Sequence, residues 1–81
     1  MILKYPLMSE KAVRILELEN KIIFVVDRKS NKKQIKKEFE KEFKAKVKSI
    51  KTQIRKNKKF AFIGLEDETP AADIATKLGL I

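Results

Sequence analysis

The chain has 81 residues, contains neither cysteine nor histidine, and carries a formal net charge of +9. Without these two residue types, disulfides, thiol catalysis and a histidine general base are excluded, and zinc would have only carboxylate ligands. A chain of this length builds one modest core, so we expect a single domain over residues 1–81 and no deep catalytic cleft.

The first part of the sequence predicts a strand, a helix and a second, buried strand. Residues 2–6 form a short strand or an extended lead-in, since Pro6 favours extended backbone before it. Ser9 is suited to cap a helix that ends near Asn20, because asparagine tolerates left-handed backbone. Residues 21–27 then contain five consecutive apolar residues, IIFVV. Such a run is typical of a strand covered on both faces, which implies helices above and below the sheet.

A second helix is predicted from Asn31, which forms a capping-box pattern with Gln34. Its apolar residues recur at a spacing of four and form one buried edge, namely Ile35, Phe39 and Phe43. Glu40 precedes Lys44 by four residues, a spacing that favours an ion pair on the solvent side of the helix.

A β-hairpin is predicted over residues 47–65. The apolar positions of its first strand change phase near residues 48–49, which indicates a bulge. In the second strand, Phe60 and Phe62 point to one side, and the small and aliphatic residues between and after them point to the other. Asn57 between the strands is suited to the positive φ of a tight turn.

A final helix is predicted to begin with Thr69 as its cap and Pro70 at its first position, and to end at Gly79. Leu80 or Ile81 is expected to fold back on it. The elements thus follow the order (β)αβαββα, which is an α+β fold.

Positive charge is concentrated in the middle of the chain. Residues 28–59 carry fifteen bases and three acids, whereas residues 1–27 sum to zero and residues 60–81 to −3. A surface made only for solubility would interleave the signs, so this segregation favours a polyanionic partner, above all nucleic acid. Lysine outnumbers arginine, which favours contact with phosphates over reading of bases. The predicted RNA-binding residues are Arg28, Lys29, Lys32, Lys33, Lys36, Lys48, Lys51, Arg55, Lys56, Lys58 and Lys59.

The sequence offers no candidate for catalysis. Ser9 and Ser49 have no histidine to act as a base, and no glycine-rich phosphate loop is present. The acids of residues 66–68 suit a solvated turn before a helix rather than a metal site. We therefore expect a non-enzyme without cofactor, metal or small-molecule substrate. No apolar run approaches the ~20 residues of a membrane span, and the lack of cysteine is typical of a cytosolic protein.

Two other binding functions fit parts of the pattern. Residues 58–65, KKFAFIGL, resemble the signature of RNA-recognition motifs, whose strand aromatics stack on unpaired bases. The predicted element order differs from the βαββαβ of that fold, so we expect Phe60 and Phe62 in the core. Exposed rings would instead favour a binder of single-stranded RNA. A module whose basic face binds an acidic protein is the second alternative.

Several segments together point to a known family, and the first and last of them are specific in combination. The segments are YPLMSEKA at 5–12, NKIIFVVD at 20–27, NKKQI at 31–35, KVKSIKT at 46–52, and ADIA at 72–75 with the LG that follows at 78–79. With these segments, essentially the whole chain resembles the ribosomal protein L23 family of the large subunit, in its short archaeal form.

The resemblance implies a structural component of the large ribosomal subunit in the cytoplasm, which binds large-subunit rRNA at the rim of the polypeptide exit tunnel. It implies a three-layer α/β/α sandwich with an antiparallel sheet of three to four strands. Its partners would be the neighbouring ribosomal protein L29 and factors that meet the nascent chain, such as the signal recognition particle. It adds Lys4 and Lys11 to the RNA-binding residues, since both lie in the family's RNA-facing N-terminal region.

The sequence departs from this family at two places. Lys44 stands at a helix end where the family often has glycine, so a lysine must take the left-handed cap at a cost of about 1 kcal/mol. The hairpin tip, residues 55–59, is shorter than the loop of bacterial members. We therefore expect no extension that lines the tunnel.

Overall fold

The structure, a computed structural model, describes residues 1–79. Its elements are β1 (Leu3–Pro6), α1 (Glu10–Glu19), β2 (Lys21–Val26), α2 (Lys32–Phe43), β3 (Val47–Arg55), β4 (Lys58–Leu65) and α3 (Ala71–Lys77). The strands form one antiparallel sheet in the order β1-β2-β4-β3. The predicted α+β order, with the first strand present, is confirmed. Leu80 and Ile81, for which a contact was predicted, lie outside the described residues.

Helix α2 covers one face of the sheet, here called the packed face. Alternate residues of the two central strands point toward it: Ile22, Phe24 and Val26 from β2, and Ala61, Ile63 and Leu65 from β4, all of them buried. Phe39 of α2 meets Phe24 edge-on with ring centroids 5.9 Å apart, and Phe43 lies 4.8 Å from Phe39. Of the predicted buried edge of this helix, Ile35 and Phe39 are fully buried, and Phe43 is half-buried against the main core.

Helix α1 lies over the opposite face, here called the open face. Between α1 and the sheet there is a hollow. Ala12 and Ile15 line it from α1, and Ile23 of β2 and Phe62 of β4 line it from the sheet. Ile23 is buried, but Phe60 and Phe62 are only half-buried. The expectation that both rings are core residues is therefore correct only in part. Helices on both faces make a three-layer α/β/α sandwich, and the helix layer on the open face leaves part of the sheet uncovered.

Most helix ends use the predicted signals. Ser9 accepts a hydrogen bond from the first turn of α1, and Asn31 and Gln34 exchange the two bonds of a capping box at 2.8 and 2.9 Å. Asn20 and Lys44 adopt left-handed backbone with φ of 54° and 51°. Lys44 thus adopts the strained left-handed cap conformation that was predicted from the absence of glycine at this helix end.

Helix α3 begins differently from the prediction. Its first residue is Ala71, preceded by Pro70, and Thr69 provides no capping side chain. Instead, Oδ1 of Asn20 accepts a 2.7 Å hydrogen bond from the Ala71 amide, while its Nδ2 donates to the carbonyls of Leu65, Glu66 and Thr69 at 3.2–3.3 Å. The residue that ends α1 therefore also caps α3.

In the connection between α2 and β3, Glu40 has a different partner from the predicted one. Glu40 forms no ion pair with Lys44 in the described residues; its carboxylate accepts a 3.0 Å hydrogen bond from the backbone amide of Val47. The predicted bulge is confirmed, because the register of β3 against β4 shifts between Val47 and Ser49. Glu40 therefore holds the start of an edge strand in place.

Candidate nucleic-acid interface

The tip of the hairpin is fixed by a two-residue turn. Arg55 pairs with Lys58 across the strands, and Lys56 and Asn57 between them have φ of 48° and 66°. Positive φ at both central residues is typical of a type I′ turn, whose twist matches that of the flanking strands. The turn therefore continues the twist of the strands and places the side chains of Arg55, Lys56 and Lys58 at the end of the hairpin.

The sheet register brings further cations beside this tip. Val26 pairs with Lys59 on one side and with Leu3 on the other, so the start of β1 and the turn after β2 lie next to the hairpin end. Nζ of Lys58 donates to Oη of Tyr5 at 3.3 Å, which ties the tip to β1. We call this end of the molecule the basic end; it comprises Lys4, Arg28, Lys29, Arg55, Lys56, Lys58 and Lys59.

A depression on the open face adjoins the basic end. We call it the aromatic hollow; its lining consists of Leu7, Ser9, Lys11, Ala12, Ile15, Ile23, Gln53, Arg55, Lys56, Lys58, Phe60 and Phe62. Four of these lining residues are cations and none is an acid. Lys51 lies just beyond the hollow, opposite Phe62 in the register and close to Glu19 and Lys21. Lys11, which only the family resemblance suggested, is thus brought to the hairpin.

A second depression lies between α2 and β3. We call it the lysine groove; it is lined by Lys32, Lys33, Lys36, Val47, Lys48, Ser49 and Ile50. It too contains no acid. The thirteen predicted residues therefore do not form one continuous face. Twelve of them lie at the basic end, in the hollow on the open side of the sheet or in the groove beside α2, and Lys51 lies just beyond the hollow.

Acids near these groups are few. The three ion pairs within residues 1–79 join Arg14 to Glu10, Lys21 to Glu19, and Lys46 to Glu68, so none includes a predicted RNA-binding residue. Asp27 is the acid nearest the basic end. The backbone amide of Lys29 donates to its carboxylate at 3.0 Å, and this bond, with smaller contributions from nearby cations, lowers the pKa of Asp27 below the usual 3.8.

Lys59 has a role that the sequence analysis missed. It is half-buried, and its Nζ donates to the backbone carbonyl of Ser30, which holds the turn before α2 against β4. A signal for this was present in the sequence, because Lys59 alternates with Ala61 and Ile63 and so points to the packed face. Its charge therefore serves the fold as well as the basic end.

The described part of the chain lacks two other features that could define a functional site. Residues 1–79 contain no group of three or more acidic side chains placed to hold a metal ion. None of the helices described above is long and apolar enough to cross a membrane.

Comparison with known proteins gives one consistent result. Residues 1–72 match the model of the family described as Ribosomal protein L23. The chain is also similar to proteins named large ribosomal subunit protein uL23 from Methanococcus aeolicus, Methanococcus maripaludis and Methanococcus vannielii. In each case it is 39% identical over 80 residues, which cover 98% of this chain and 93% of the relative. The matched region contains the basic end, the aromatic hollow and the lysine groove.

Proposed function

We propose that this chain, which belongs to the ribosomal protein L23 family, binds large-subunit rRNA through its basic end and the two depressions beside it, as one RNA-binding domain. As a member of that family, the chain is a structural, non-enzymatic component of the large ribosomal subunit and takes part in translation in the cytoplasm. The observation that carries the rRNA-binding proposal is the basic end, where separate strands and turns bring cations together without an ion pair to an acid among residues 1–79.

The proposed mechanism is electrostatic. Lysine and arginine side chains on a rigid sheet neutralise phosphates of a folded RNA and release the counterions condensed on it. The aromatic hollow and the lysine groove lie on opposite sides of the sheet, so RNA segments can contact the protein from two directions. By neutralising both segments, the protein lowers the repulsion between them. Contacts of this kind position an RNA without reading its bases.

The proposal extends to the location of the protein at the rim of the exit tunnel. Ribosomal protein L29 is the proposed neighbour on the ribosome, and the signal recognition particle or another nascent-chain factor is the proposed transient binding partner. One observation supports separate RNA-facing and protein-facing sides. Strand β4 runs from Lys58 at the hairpin tip to Leu65, so the acidic turn at residues 66–68 lies at the opposite end of that strand from the basic end.

Sedimentation of a cell lysate tests the association with the subunit in its native setting. We expect the chain to migrate with the large subunit in moderate salt and to dissociate as salt is raised, because phosphate contacts weaken with salt. Recovery only at the top of the gradient would remove the ribosomal assignment. Salt-sensitive binding to a protein, with none to RNA, would favour the acidic-partner alternative instead.

Charge removal at the hairpin tip tests the RNA contact itself. The double variant Arg55→Ala, Lys58→Ala is expected to bind large-subunit rRNA more weakly and to flatten the plot of log affinity against log salt by about 1.4–1.8, the value for two lost phosphate contacts. Filter binding over a series of KCl concentrations measures both quantities.

The matched control is Arg14→Ala, Lys77→Ala, which removes the same charge away from the basic end. Arg14 is paired with Glu10 on the outer side of α1, and Lys77 lies in the last turn of α3. Equal slopes for the two double variants would mean that net charge, and not the tip, determines binding.

A further inference from the structure

We propose that the aromatic hollow receives one unpaired base of the RNA, which stacks on Phe60 or Phe62 while the surrounding cations hold the adjoining phosphates. This inference rests on the proposed function, because it takes RNA as the occupant. It adds a base-contacting role to a surface whose lysines alone contact only the backbone.

The sheet register builds an apolar floor in the hollow. Phe60 lies between Val25 of β2 and Gln53 of β3, and Phe62 lies between Ile23 and Lys51. Both rings come from alternate positions of one strand, so they point to the same side of the sheet. Because they are half-buried, their positions are fixed by packing, yet part of each ring stays accessible from the hollow.

The charged residues around the hollow are all cations, so they favour a negatively charged ligand. Lys11 approaches from α1, and Arg55, Lys56 and Lys58 approach from the hairpin tip, with no acid among the lining residues. A ligand that fits must therefore combine a flat apolar part with negative charge at its edge. A nucleotide unit within an RNA strand has this combination, since every base has a π-face and is flanked by phosphates.

The base must be unpaired. Within a duplex, both faces of a base are covered by its neighbours, whereas an unpaired base in a loop or bulge can stack on an aromatic side chain. Gln53 stands beside Phe60 in the register, and its side-chain amide forms no hydrogen bond within residues 1–79. An amide both donates and accepts, so it can bond to the polar edge of a base stacked on the neighbouring ring.

Phenylalanine ring signals in NMR spectra provide a direct test with internal controls. The protein, labelled with ¹³C in its phenylalanine rings, is titrated with a short unpaired strand of adenosines and, separately, with an abasic ribose-phosphate strand of equal charge. We expect the adenosine strand to shift the ring signals of Phe60 and Phe62, and the abasic strand to leave them unchanged. The rings of Phe24 and Phe39 are buried on the packed face and should move in neither titration.

Affinity for large-subunit rRNA provides the second test. Phe60→Leu and Phe62→Leu each keep an apolar side chain but remove the aromatic plane, and the more affected variant should bind about tenfold more weakly, as expected for one lost base stack. Its salt slope should equal that of the wild type, because no phosphate contact is lost. Phe43→Leu is the matched control, since it replaces another half-buried ring, on the packed face, and should bind rRNA like the wild type.

The outcomes separate this inference from the proposed function. Wild-type affinity in both hollow variants, or equal shifts of the two rings with the adenosine and abasic strands, would overturn the base-binding site and leave salt-dependent rRNA binding intact. If the wild type fails to bind rRNA at all, the proposed function and this inference both fail.

Discussion

The two faces of the sheet are built from the same strand but are completed differently. On the packed face, Ala61 and Ile63 of β4 are fully buried beneath α2. On the open face, Phe60 and Phe62 of the same strand are only half-buried beside α1. Because side chains alternate across a strand, one segment of eight residues can serve the core on one side and a binding surface on the other. The larger, aromatic residues stand on the side with less cover.

The first prediction compares a ring from each face and has the largest expected effect. Phe39→Ala removes a fully buried side chain that packs edge-on against Phe24, and should lower the free energy of unfolding by about 3–5 kcal/mol. Phe60→Ala, on the open face, should cost only about 1 kcal/mol, since its ring buries much less surface. Urea denaturation of both variants measures the difference.

The magnitude matters because a domain of this size has a total stability of about 4–12 kcal/mol. Phe39→Ala should therefore lose a large part of this stability and unfold at a much lower urea concentration than the wild type, while Phe60→Ala loses only a small part. Similar losses for the two variants would show that the open face is as much a part of the core as the packed face.

The second prediction concerns the residue that joins helices from the two sides. Asn20→Gly keeps the left-handed end of α1 but removes the side chain that caps Ala71 and binds three carbonyls, so we expect a loss of about 1–3 kcal/mol. Amide hydrogen exchange should speed up most in α3. Asn57→Gly makes the same substitution at another positive φ, in the hairpin turn, and should change stability little. Unchanged exchange at Ala71 in the first variant would contradict the capping role.

The third prediction tests strain at the end of the packed helix. Lys44 holds φ of 51°, where a lysine costs about 1 kcal/mol and glycine does not, so Lys44→Gly should stabilise the protein by roughly that amount. Lys37→Gly, an exposed position in the middle of α2, should destabilise it by about 1 kcal/mol, because glycine is unfavourable in a helix interior. Thermal melts of the two variants should therefore move in opposite directions. A decrease at both positions would mean that the side chain of Lys44 makes a contact worth more than the strain.

The sequence predicted what local chemistry determines. Element order, the cap at Ser9, the capping box at Asn31 and the bulge near residue 48 all depend on neighbours a few positions apart, and all are confirmed. The cap that Asn20 supplies to Ala71 joins residues 51 positions apart, so no local pattern could reveal it. For the same reason, the separation of the predicted cations into an end, a hollow and a groove required the three-dimensional pairing of the strands.

The half-burial of Phe60 and Phe62 shows a limit of the alternating side-chain pattern of a strand: it predicts which face a residue points to, but not how far that face is covered. The pattern correctly assigned the two rings to one side of β4, and apolar character on both sides suggested cover on both. How far a helix covers a face depends on its position above the strands. Cover on that side comes from α1, whose ten residues contact β2 most, and the rings on the neighbouring strand stay partly accessible.

The smallest predicted effect concerns Asp27, at the turn where β2 ends beside the hairpin tip. Its pKa lies below the usual 3.8, chiefly because the backbone amide of Lys29 donates to the carboxylate. Since the folded pKa is depressed, the stabilisation is complete above the unfolded value and is lost as pH falls through the folded value. In an NMR titration, the Lys29 amide signal should therefore move with a midpoint below pH 3.8. Asp27→Asn keeps an acceptor oxygen and abolishes this midpoint, whereas a wild-type midpoint at or above pH 3.8 would show that the hydrogen bond does not hold the carboxylate in its charged form.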